Sequence, residues 1–144
     1  MIKKILFFCF ALLLVLGYFI FDAFLFKDKD ANFSPPQCDL NARDCSYIFN
    51  GKEISISLQP KPLQAMQNLN LEIKNLAHYD DLELRVYGLN MFMGEIKPKL
   101  IAAQNGYRAE IFLPACVLDT MLYRAEFFQK GKALGFHFDF ELRR

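Results

Sequence analysis

The sequence predicts a mainly β protein: a single N-terminal transmembrane helix followed by an immunoglobulin-like antiparallel β-sandwich. Two observations carry this. A long apolar run opens the 144-residue chain, and after residue 45 short segments alternate apolar and polar residues with period two, separated by turn residues. No helical stripe follows residue 30, and no internal repeat is visible.

Lys3 and Lys4 precede an uninterrupted apolar stretch from Ile5 to Phe21, and Ala23 to Phe26 extend it past Asp22. Crossing ~30 Å of hydrocarbon takes roughly 20 apolar residues, so this segment is long enough. A cleavable signal peptide would want a shorter core and small residues at its cleavage site, whereas GYFIFDAFLFKDKD supplies bulky aromatics. Residues 1–26 are therefore expected to be a retained anchor. The lysines on its N-terminal side keep that end cytoplasmic and send the rest outward. Cys9 falls inside the apolar run as a small lipid-facing residue. Residues 27–37, KDKDANFSPPQ, are charged and then Pro-Pro, which reads as a short extended tether.

The outer domain is expected over 38–144. It begins with CDLNARDC, six residues between Cys38 and Cys45. SYIFNGKEISISL then reads as a hairpin, with Asn50-Gly51 suited to a type I′ turn and Ile54, Ile56 and Leu58 on one face. QPKP at 59–62 breaks that strand. Leu69, Leu71 and Ile73 mark the next one, and Leu82, Leu84 and Val86 the one after. Later apolar faces start at Tyr107, Met121 and Leu134, with AHYDD, QNG and QKGK as turns. Six or seven such strands suit a sandwich.

Charge excludes one class of partner. Once Lys3, Lys4 and Asp22 are assigned to the anchor, fifteen basic and fifteen acidic residues remain. A domain of zero formal charge offers no electrostatic footprint for nucleic acid. Enzyme signatures are missing as well: there is no nucleophile elbow, no phosphate-cradling glycine loop, no H-E-x-x-H and no C-x-x-C. His78, in a turn, and His137, on a polar strand face, read as solvated residues. No catalytic role is expected.

Sulfur is what remains. Outside the cytoplasmic membrane the compartment is oxidising, so Cys38 and Cys45 suggest a structural disulfide, with a metal-binding or redox dithiol as the alternative. Closing such a loop contributes about 2.5 kcal/mol in the chain-entropy description. Cys116, in LPACVLDTM, is then an odd exported thiol. Met91 and Met93 flank Phe92 in GLNMFMG. Methionine is an adaptable packing residue, but its thioether is also a soft metal ligand. If the strand beginning at Leu82 runs on regularly, Met91 and Met93 share the outward parity of Glu83 and Arg85, and a bulge at Gly88 would reverse this. Packing and ligation both stay open on the residues alone.

Three stretches in order, CDLNARDC, GLNMFMGEIKPKL and NGYRAEIFLPACVLDTMLYRAEF, resemble a family of membrane-anchored bacterial periplasmic proteins. That family's pattern is C-D-L-(x)4-C, then G-x-x-M-x-M-G, then L-P-x-C-(x)4-M-x-W. The resemblance spans Cys38 to about Phe128. More distantly the family is similar to the FixH and YtkA-like immunoglobulin-type domains of copper handling and cytochrome oxidase assembly. The matching positions here are Cys38, Cys45, Met91, Met93, Cys116 and Met121, and Tyr123 stands where the family has tryptophan.

The resemblance implies a single-pass inner-membrane protein with its C-terminal domain in the periplasm. It also implies Cu(I) held by Met91, Met93, Cys116 and Met121, near copper chaperones of the Sco and PCuAC types or oxidase subunits. Thioethers and a thiolate suit Cu(I), unlike the oxygen ligands that Mg²⁺ and Ca²⁺ prefer. The competing expectation is an accessory that binds no metal and docks on an inner-membrane complex through an adaptable methionine patch.

Overall fold

A computed structural model describes residues 36–143. The expected anchor over Ile5 to Phe26, and most of the tether, lie outside the described residues. The rest is mainly β: β1 (Cys45–Phe49), β2 (Lys52–Gln59), β3 (Asn68–Lys74), β4 (Leu82–Gly88), β5 (Glu95–Ile96), β6 (Ile101–Ala103), β7 (Gly106–Phe112), β8 (Thr120–Gln129) and β9 (Lys132–Arg143). They form two sheets, ordered β1-β2-β3-β7-β6 and β5-β4-β8-β9, with every pairing antiparallel. Among the described residues there is no helix.

Period two in the sequence becomes inside and outside in the fold. Ile54, Ile56 and Leu58 of β2 and Leu69, Leu71 and Ile73 of β3 are buried, as a strand with one covered face requires. Leu84 and Val86 of β4 meet the β8 positions Phe127 and Ala125 across the ladder. Phe127, Phe136, Phe138 and Phe140 build an aromatic column, with Phe127 stacked on Phe136 at 5.2 Å. No polar or charged residue is buried among the described ones.

Turns fall where their chemistry demands. Asn50 and Gly51 both have positive φ, 50° and 73°, as a type I′ hairpin requires, and Lys130-Gly131 repeats the device between β8 and β9. The expected alternation is interrupted once, in β9. Between Glu126 and Phe128 the register slips, so Phe127 is opposed by 134–136, and Gly135 takes φ +80° at the bulge.

Cys38 and Cys45 form the expected disulfide, their Cα atoms 6.0 Å apart. The loop they close is knit to the sandwich. The Asp39 carbonyl accepts from the Ala42 and Arg43 amides. Leu40 plugs the core. The Asn41 side chain donates to the Glu141 carbonyl and accepts from the Leu63 amide.

Candidate soft-metal site

Several loops meet at one end of the sandwich. Gly88 ends β4 opposite Tyr123 of β8, and Thr120 at the start of β8 pairs with Arg143 at the end of β9. In the other sheet, Asn68 pairs with Phe112 at the same boundary of β3 and β7, and the Met66 amide donates to the Leu113 carbonyl just beyond. Residues 113–119 then cross from one sheet to the other, which carries Cys116 towards the loop after β4.

That loop, 89–94, is not a continuation of the strand. The Leu89 amide still donates to the Leu122 carbonyl, 2.8 Å away. The Asn90 side chain then does what backbone would have done: its amide donates to the Thr120 carbonyl and its oxygen accepts from the Leu122 amide. The main chain is thereby released to turn back. It passes so close to Gly88 that a Cβ there would overlap the Met91 carbonyl oxygen. Only glycine fits.

The strand parity that would send Met91 and Met93 outward therefore stops at Gly88. Both are half-buried and pack against the edge of the core, as does Cys116. This corrects the premise of outward-facing thioethers: the chain leaves the sheet before reaching them. Phe92 between them is 76% exposed.

The sulfurs are brought together in part. The Cys116 thiol donates to the Met91 thioether at 3.3 Å, across 25 residues of sequence. Met121 points inward from β8, 3% exposed, its methyl packed beside Gly88. Cys116, Met121 and Tyr123 line one cavity of about 480 Å³, which Leu63, Met66 and Leu118 help to enclose. Neither Met91 nor Met93 lines this cavity, and Cys116 reaches Met91 rather than Met93. Cys116 is the free cysteine among the described residues.

These donors suit a soft ion. Among the described residues, no three His, Cys, Asp or Glu side chains gather, so the structure builds no nitrogen or oxygen cage there. His78 and His137 are both exposed. Two sulfurs sharing one ion at about 2.3 Å each stand at least about 3.8 Å apart. The Cys116–Met91 pair, at 3.3 Å, must open by roughly 0.5 Å to hold one. A half-buried cysteine on a loop can make that adjustment by a small rotation.

Sequence reasoning missed Asn90 as part of this site. Asn90 reads as an ordinary turn residue, because its two bonds depend on which strand lies alongside. Tyr123 shares the buried parity of β8, so it reads as core, and nothing in the residues alone marks its hydroxyl. Comparison of the chain with protein-family models, with curated proteins and with solved structures gave no match.

Proposed function

We propose that this chain is a membrane-anchored periplasmic protein whose immunoglobulin-like sandwich binds Cu(I) through sulfur. In this reading it assists copper delivery to a respiratory oxidase or the assembly of that oxidase. The observation that carries it is the 3.3 Å contact between Cys116 and Met91, because it joins two loops that the fold alone gives no reason to pair through sulfur. Met121, which shares a cavity wall with Cys116, is the third donor, and Met93 the fourth if its loop closes over an ion. The group's chemistry is simple: a soft ion is held by soft donors. The chain's residues supply a preformed thiol–thioether pair, a latch at Asn90 that fixes the loop, and partial burial against the edge of the apolar core.

A second reading rests on a separate observation. Phe92, Val117 and Met66 are 76%, 81% and 62% exposed, and each lies on one of the loops at this end. Exposed apolar side chains flanking a loop cluster suit contact with another protein, and a docking accessory would need no metal.

Titration of the full-length chain in detergent with Cu(I), under anaerobic reducing conditions, separates the two. The copper reading expects one ion per chain, lost in the double variant Met91→Leu and Met93→Leu while the fold persists. No binding by the wild-type chain leaves the docking reading.

A further inference from the structure

In the wall of the cavity that Cys116 also lines stands a tyrosine whose hydroxyl the fold does not use. Tyr123 points inward from β8, 2% exposed, its ring stacked on Phe140 at 5.7 Å. Its oxygen is buried and has no hydrogen-bond partner. Other tyrosines behave differently. The Tyr107 hydroxyl accepts from the Tyr79 amide, and the Tyr87 hydroxyl donates to Glu126. A buried hydroxyl without a partner is costly, and phenylalanine would give the same ring packing without that cost. Stability therefore does not account for an oxygen at this position.

The neighbourhood does. Tyr123 shares the cavity wall with Cys116 and Met121. A phenol O–H can donate a hydrogen bond, and here it has no acceptor. In the metal-free chain the Cys116 thiol donates to Met91 and has no need of a second partner. When the sulfur binds an ion it gives its proton to solvent and becomes an acceptor only.

We propose that Tyr123 is a positioning residue of the sulfur site, whose O–H donates to the Cys116 sulfur in the metal-bound state. This rests on the copper reading above. Groups that hydrogen-bond to metal ligands fix their orientation, and losing one typically weakens metal binding by about 10- to 100-fold. Cys116 and Tyr123 border the same empty volume, which leaves the sulfur room for the roughly 0.5 Å opening from Met91 that an ion requires.

The test is Tyr123→Phe in the full-length, detergent-solubilised chain. Three quantities are measured: the melting temperature without metal, Cu(I) affinity by competition with a chromophoric chelator, and the thiolate-to-copper charge-transfer band. The expected result is an unchanged or raised melting temperature, an affinity at least about tenfold weaker, and a shifted band. A lowered metal-free melting temperature would show that the hydroxyl is structural, and would overturn the proposal. So would wild-type affinity with an unmoved band. If the wild-type chain itself binds no Cu(I), the copper reading fails and takes this role with it. Wild-type binding with an indifferent variant sinks the Tyr123 role alone.

Discussion

A Cβ on Gly88 would overlap the Met91 carbonyl oxygen and press on the Met121 methyl, so one missing side chain lets the loop fold back over the end of β8. Asn90 holds it there. Replacing Asn90 with alanine removes two exposed hydrogen bonds and should cost about 1 kcal/mol in a urea melt. Its larger effect should be on the site: with Met91 untethered, the Cu(I) titration should weaken although no sulfur has been removed. An unchanged affinity would show that the latch does not position the thioether. The two methionines can also be separated. Leucine at either position keeps roughly the volume, so each variant should lose less than about 1.5 kcal/mol of stability. Met91→Leu should impair copper binding more than Met93→Leu, because Met91 is the one in contact with Cys116. Equal losses would mean that the metal-bound loop differs from the one described. The sulfurs themselves were legible in the sequence. Their contact was not, because it spans 25 residues and depends on where the chain leaves the sheet.

Among the elements, the long strands were the readable ones. A strand with one covered face must alternate, and β2, β3, β7 and β8 do so without error. β5 and β6, with two and three residues, are too short for a period to register, and the sequence gives no sign of them. The same limit hid the bulge in β9, where Leu134 continues the apolar alternation by sequence but is only half-buried. The disulfide loop belongs to this scale too, since it carries Leu40 into the core and Asn41 onto β9 and the 62–66 loop. Replacing both Cys38 and Cys45 with serine should lower unfolding free energy by about 2.5 kcal/mol, measured by urea denaturation. Mass mapping of the wild type after alkylation without reductant should label Cys116 and spare Cys38 and Cys45. A bridge involving Cys116 would remove the thiol from the site.

For the whole molecule, the expected anchor predicts that the chain stays with membranes at full length; a mature species starting near residues 27–35 in the membrane fraction would refute it. Acid stability can be argued from the described carboxylates. Asp44 lies below its ordinary 3.8, chiefly through its hydrogen bonds from Lys61 and Ser57. Glu72 lies below 4.5 through Arg108 and then Lys74. A carboxylate whose pKa falls on folding stabilises the fold above its unfolded value, and that contribution disappears as pH drops through the folded value. Both groups are largely solvent-facing, so the effect is small and confined to below about pH 4.5. The sandwich should therefore stay equally folded from pH 8 to pH 5, which makes that window useful for testing the metal site. Thioethers bind without losing a proton, whereas the Cys116 thiol must give one up. Protons should compete with Cu(I) at Cys116 alone, weakening binding by roughly up to tenfold per pH unit as the pH falls, with no change in near-ultraviolet circular dichroism. Cys116→Ser should bind more weakly at every pH and without the slope, since its remaining soft donors do not titrate. A wild-type affinity flat across the window would place the ion on the methionines alone and leave Cys116 outside the site.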